Sequence, residues 1–446
     1  MTADILKSIT FNDKTTMMKK VPLLIIVFLC TIAVTHAQKT YIWCGVLIDG
    51  ISDAPLKNRT IVVENDRIIA VENSFTKPAV NDKLVDLKTK TVTPGWIDMH
   101  VHLESETRKG NTADRFILNP PDFAFESVRY ANITLMAGFT TVRDLGGSGV
   151  NVSLRNAINR NSIKGPRIFT AGKSIATTGG HADPTNAYRK DLAGDPGPKE
   201  GVINGEADAY QAVRQRYKEG SDLIKITATG GVLSQAKDGA NAQFTEAEIR
   251  AIVTAAKDYG FKVAAHAHGA EGLKRAVRAG VSSIEHGTFM DDEAISLMKQ
   301  HGTWYVPTII AGKSTADSAK IPGYYTEIVT PKALATGPQI QSTFAKAHKE
   351  GVKIAFGTDA GVFRHGMNWL EFGYMIEAGM KPMDAIKAAT INAAELLGER
   401  DRLGSIQPGK LADIVAVDGD PLKDPKVFGR VVFVMKGGVV FKEIGD

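Results

Sequence analysis

The sequence predicts an α/β fold: a (β/α)8 (TIM) barrel with a small β-sandwich built from both chain ends. Three observations predict it. Between Thr93 and Gly404, short β-rich runs alternate with amphipathic helical patterns. Polar residues of metal-ligand type stand at the ends of several of those β runs. The two flanks break the alternation and read as Val- and Ile-rich strands punctuated by Gly and Asp.

The elements follow in chain order. Lys19 and Lys20 precede the apolar run VPLLIIVFLCTIAV, which leads into THAQ. A charged start, a short apolar stretch and a small-residue cleavage point after Ala37 predict a signal peptide within residues 1–37. The run is shorter than the roughly 20 residues a membrane-spanning helix needs. Met17 and Met18 directly precede the lysines and are candidate starts, with the residues before them lying upstream. Removal of the leader predicts a periplasmic or secreted bacterial protein with no stable membrane insertion. It also leaves Cys44 as the sole cysteine, which excludes an intramolecular disulfide.

Residues 38–92 and 405–446 are expected to form the composite sandwich, because neither flank alone is long enough for a stable sheet. Residues 93–404 supply the barrel. Its eight strand runs are GWIDMHV, TTVRDL, RIFTAG, DLIKITA, KVAAHAH, SSIEHG, WYVPT and KIAFGTD. Helical patterns such as EADAYQAVRQRYKEG, TEAEIRAIVTAAKDYG and GAEGLKRAVRAG lie between them and end in Gly, which tolerates a left-handed helix terminus.

Composition narrows the partners. The chain has 446 residues, is 43% hydrophobic and 23% charged, and carries a net charge of +5. A balance that close to neutral, without a Lys/Arg-rich run past the first residues, excludes a nucleic-acid or polybasic membrane surface. A small-molecule substrate is expected, and a homo-oligomer is the one protein partnership anticipated.

In a barrel of this type the reacting groups stand at the C-terminal ends of the strands. There the sequence places His100 and His102, Lys225, His266 and His268, His286, and Asp359. Each alone has an ordinary explanation. A strand-end histidine is often a hydrogen-bonded structural residue, a lysine can reach to solvent and an aspartate can cap a helix. Five of eight strands delivering such a group to one rim is a different matter. Residues two apart on a strand share a face, so His100 and His102 can chelate one metal. Imidazole and carboxylate ligands suit zinc, with iron, manganese or cobalt as alternatives. Lys225 cannot ligate as an ammonium. Burial favours its neutral amine, which can take up CO2 to become an anionic carbamate able to bridge two divalent ions.

With TVTPGWIDMHVHL, DLIKITATGG, AAHAHG, SIEHG, FGTDAG, AATINAAELLG and GSIQPGKLADIVAVDGDP, the chain resembles the amidohydrolase superfamily over essentially its whole mature length. It is most similar to the branch of Xaa-Pro dipeptidases and ochratoxin-type amidases. The resemblance implies a binuclear site. His100, His102 and Asp359 would hold the more buried ion, His266 and His286 the more exposed one, and carboxylated Lys225 would bridge them. It further implies attack by a metal-bridging hydroxide, with Asp359 taking the proton and passing it to the leaving amine.

The family supplies one ligand from the fifth strand, and His266 matches it. His268 shares that face but is expected about 6–7 Å further along, and is read as a substrate contact. His181, in TTGGHADP, and His365, in FRHGMN, are the other candidate substrate contacts. The expected reaction is hydrolysis of the amide bond of a dipeptide or N-acyl amino acid. Cyclic-amide hydrolysis of the imidazolonepropionase type is an alternative, against which Lys225 argues. Phosphotriester or lactone hydrolysis is another, and a non-catalytic scaffold is disfavoured because the whole ligand set is present.

Overall fold

In chain order the strands are β1 (Lys39–Leu47), β2 (Leu56–Glu64), β3 (Arg67–Glu72), β4 (Lys83–Pro94), β5 (Trp96–Val101), β6 (Phe139–Asp144), β7 (Arg167–Thr170) and β8 (Ala176–Thr177). Then come β9 (Val202–Ile203), β10 (Ile224–Thr227), β11 (Val263–Gly269), β12 (Ser283–Phe289), β13 (Trp304–Val306), β14 (Ile414–Val417), β15 (Val431–Lys436) and β16 (Val439–Lys442). This computed structural model describes residues 38–443 and Gly445, so the expected leader, residues 1–37, lies outside the described residues.

The two chain ends share one sheet of seven strands, in the order β16-β15-β14-β4-β1-β2-β3. The last segment of the chain enters through β14, which runs antiparallel to β4 with Ile414 opposite Pro94. Both flanks contribute strands, in one continuous hydrogen-bonded order and not as the two facing sheets of the expected sandwich. Bulges bend it, as where β1 changes register on β4 between Cys44 and Val46. Gly45 is required there, since a Cβ would lie 1.8 Å from the Lys88 carbonyl oxygen. The inner face closes on a single apolar cluster that includes Ile42, Leu47, Ile61, Leu87, Ile414 and Phe433. Cys44 is buried in the same cluster, and burial raises its thiol pKa, so it is inert packing.

The strands between the flanks are parallel. One sheet is β5-β6-β7 and another is β10-β11-β12-β13. A parallel bridge from Ile175 to Ile226 links the chain beyond β7 to β10. Seven of the eight expected runs are therefore strands. The eighth, KIAFGTD, is not. It makes single bridges, Ile354 with Tyr305 and Ala360 with Val101. Its backbone still bonds β5, through Met99 N–H to Phe356 O (2.9 Å) and Asp359 N–H to His100 O (2.7 Å). A left-handed φ of 62° at Asp359 breaks the extended ladder.

The helices form where amphipathic patterns predict them. Glu206–Glu219 ends on Gly220 at φ 84° and Ala270–Ala279 on Gly280 at φ 95°. Glu246–Asp258 starts from a capping box between Thr245 and Glu248. At the foot of β5, the buried Trp96 ring meets Phe139, Phe372 and Phe428 edge-on, at 5.2–5.6 Å. Phe428 belongs to the C-terminal flank, so this aromatic cluster ties the composite sheet to the parallel strands. Among the described residues, no helix is long and apolar enough to cross a membrane.

Candidate metal centre

β5 is buried along its whole length, so its polar side chains need partners inside the protein. His100 donates from Nδ1 to Glu285 Oε2 (3.0 Å), and its Nε2 lies 3.4 Å from Asp359 Oδ1 and 3.3 Å from Lys225 Nζ. His102 donates from Nδ1 to the Gly146 carbonyl (2.7 Å), and its Nε2 lies 3.2 Å from Asp359 Oδ1. One ligand atom each from His100, His102 and Asp359 falls within 4.8 Å of the others. His266, His268 and His286 form a second group on the same criterion. His266 donates from Nε2 to the Gly230 carbonyl (3.0 Å), His268 Nδ1 bonds Thr288 Oγ1 (2.8 Å) and His286 Nδ1 bonds Thr308 Oγ1 (2.7 Å). Each of these rings thus has one nitrogen fixed by the protein and the other left for a ligand.

The backbone is strained where it presents these groups. Asp359, His286 and Thr308 are non-glycine residues with φ of 62°, 71° and 51°. Asp359 Oδ1 is buried yet has no hydrogen-bond donor. Such an atom calls for a cation. The electrostatics agree. Burial, reinforced by neighbouring positive groups, pushes His100, His266 and His286 well below the ordinary histidine range, so they are neutral, the ligating form. Burial also lowers His102, but its contact with Asp359 outweighs that and leaves its pKa raised. Lys225 is pushed down to about 8 by burial, against the pull of Glu285 and Asp359.

The structure therefore brings together His100, His102, Lys225, His266, His286 and Asp359, all of which line one cavity of about 220 Å³. His268 is a correction. Its spacing along the strand does not keep its ring apart: the centroid lies 4.7 Å from His266 and 4.9 Å from His286, and the three offer ligand atoms within 4.8 Å of one another. β11 also changes register on β12 between Ala267 and Gly269, the step that contains His268. His181 lines the cavity as expected, stacked on His266 at 4.4 Å, with a buried Nδ1 that has no partner. His365 is the other correction. It does not line this cavity; its Nε2 donates to the Ser105 carbonyl (3.0 Å) and its ring packs 4.5 Å from Tyr130.

Sequence reasoning missed the residues behind the histidines. Glu285, fully buried, accepts from His100 and from Arg143 (2.7 Å), which also donates to the Met99 carbonyl. Asp98 accepts from Thr358 Oγ1 (2.6 Å), Asn368 Nδ2 (2.8 Å) and the His100 backbone, and burial pushes it up to about 7. The available signal was a charge inside an otherwise apolar strand run, in TTVRDL, SSIEHG and GWIDMHV.

Comparison with known proteins converges on the same reading. An ochratoxinase from Aspergillus niger is 32% identical over 433 residues, spanning 92% of this chain and 88% of its own. A crystal structure of a Xaa-Pro dipeptidase with methionine bound in its active site is 53% identical, with a TM-score of 0.89 over 91% of this chain and 100% of that one. A prolidase complexed with N-methylphosphonate-L-proline is 31% identical, with a TM-score of 0.83 over 91% and 100% of the two chains. The model of the amidohydrolase family matches residues 91–441, a span that takes in every residue of the metal centre described above. By that match the chain belongs to the amidohydrolase family.

Proposed function

We propose that the chain is a binuclear metal-dependent amidohydrolase that cleaves the amide bond of dipeptides or N-acyl amino acids. The observation that carries this reading is the pair of ligand groups in one cavity, with Lys225 Nζ 3.3 Å from His100 Nε2. The donor set fits two divalent ions, zinc being the expected one: neutral imidazoles, and a buried carboxylate oxygen with no donor of its own. His100, His102 and Asp359 would hold one ion, and His266 and His286 the other. Lys225, as its carbamate, would bridge them. When bound, such ions supply Lewis acidity and a water acidified towards neutral pH.

The chain's own groups do the rest. Asp359 would take a proton on the carboxylate oxygen that does not hold the ion and return it to the leaving nitrogen, which an amide requires. His181, stacked on His266 with an unpartnered Nδ1, contacts substrate from the cavity wall. His268 stands close enough to His266 and His286 to compete for the exposed ion. The relatives named a Xaa-Pro dipeptidase, a prolidase and an ochratoxinase support amide substrates.

The parallel segments are read as a closed (β/α)8 barrel over residues 93–404, the bridges at Ile175, Ile354 and Ala360 completing the ring. Residues 38–92 and 405–446 form the accessory β domain. The leader places the mature protein in the periplasm or outside the cell, which cell fractionation tests.

The functional test is a panel of dipeptides and N-acyl amino acids assayed with zinc and bicarbonate, alongside metal analysis. Amide turnover with two ions per chain is expected, and Lys225→Ala should lose both. No turnover by metal-loaded protein, or wild-type turnover by Lys225→Ala, would defeat the proposal.

A further inference from the structure

The segment 230–240 has no helix or strand of its own, yet it borders the metal centre. The Gly230 carbonyl accepts from His266 Nε2 (3.0 Å). Gly231 lies against His181 so closely that a Cβ would sit 2.2 Å from its Nδ1. Val232 and Leu233 line the inner cavity. Leu233, Ser234 and Gln235 line a second, outer pocket of about 510 Å³, together with Phe116, Tyr188 and Tyr325. This loop is therefore the wall between the two spaces, and His181 borders both.

Beside Thr326, which bonds Gln235, the side chain that ties this loop to the rest of the fold at several points is Lys332. Its ammonium donates to the carbonyls of Gly231 (3.0 Å), Ser234 (2.7 Å) and Ala236 (2.8 Å). An ammonium has three N–H donors, and all are used on this one loop. Its stem also packs on Gly239, where a Cβ would lie 3.1 Å from Lys332 Cδ. Lys332 stands near the start of the helix Val329–Lys349, where a cation opposes the helix dipole. The carbonyl triad offsets that cost.

We propose that Lys332 is a specificity-determining positioning residue, latching the 230–240 loop as the wall between the inner cavity and the outer pocket. It contacts neither the ligand set nor the reacting atoms. It acts through the loop, which sets the depth of the inner cavity and the position of His181. The kinetic half of this inference rests on the proposed amide hydrolysis; the structural half does not.

Hydrogen–deuterium exchange on full-length wild type and Lys332→Met tests the structural half. Losing bonds to a charged donor should speed exchange in residues 231–236 by roughly 10-fold or more, while the helix 329–349 keeps its protection. Unchanged exchange in the loop overturns the latch whatever the activity, and so does loosening spread equally over helix and loop. If Lys332→Met does not fold, Lys332→Gln replaces it with the same reading. On the amide substrate found active, KM should rise ~10-fold with kcat held within a few-fold, as a loosened binding wall requires. A fall in kcat at unchanged KM removes the specificity role. A wild type that hydrolyses no amide refutes the functional proposal, and the exchange comparison still decides the latch.

Discussion

Glu285→Gln separates what the buried charges do for stability from what they do for metal binding. Glu285 Oε1 lies 2.7 Å from Arg143 Nη2, and Oε2 lies 3.0 Å from His100 Nδ1. The side chains are 2% and 0% exposed for Arg143 and Glu285, so solvent cannot replace either partner. Breaking one side of a buried ion pair costs about 3–5 kcal/mol. Arg143 retains the Met99 carbonyl and the Ser283 hydroxyl, which places the expected loss near the lower bound, at about 3 kcal/mol. Glutamine keeps the volume but can offer His100 only a neutral amide. An outer partner of this kind contributes roughly 10–100-fold in metal affinity. Urea unfolding of the metal-free protein measures the first effect, and zinc titration at a permissive temperature measures the second. A variant destabilised as expected that still binds zinc like the wild type would refute the orienting role and leave Glu285 a purely structural charge.

Metal analysis of two single variants assigns the fifth-strand ligand. His266→Ala should drop to about one ion per chain while His268→Ala keeps both; the opposite result hands the role to His268. A pH effect is expected at Glu371, which accepts from the backbone of Ile309 and Ile310 and is raised by burial from 4.5 to about 8. Because the folded protein holds that proton more tightly, its contribution to stability is complete below about 4.5 and disappears as pH rises through about 8. Urea midpoints across that interval should fall in the wild type and flatten in Glu371→Gln; parallel curves would exclude Glu371 as the source. Gly231→Ala forces a Cβ to within 2.2 Å of the His181 ring. Displacing that ring should cost about 1–3 kcal/mol and raise KM, and unaltered melting and kinetics would show that the loop gives way freely.

Much of this architecture is legible in the sequence because it is periodic or local. The apolar runs that end in His100, Lys225, His266 and His286 became strands since each must bury both faces in a parallel sheet. The i, i+2 rule set His100 and His102 on one face. The same rule set His268 too far from the site, because it fixes backbone spacing and not where a ring turns. KIAFGTD has the composition of a strand, but positive φ at Asp359 overrides propensity where the chain must present a carboxylate. Glu285 escaped notice because its partner, His100, is 185 residues away. His365 is near Asp359 in sequence, but the chain turns it onto Ser105 and Tyr130.

The joint sheet also fixes the timing of folding. β14 lies between β4 and β15, so the strand that covers β4 leaves the ribosome long after β4 itself. Until residue 414 is available, β4 presents an open edge beside an apolar face whose covering residues, Ile414, Ala416 and Phe433, have yet to be made. A chain ending early, even one containing every ligand of the metal centre, would carry that exposed edge and be open to aggregation or proteolysis. The late strands thus gate the burial of the early ones: β1–β4 cannot close over their apolar face until β14 and β15 have been made.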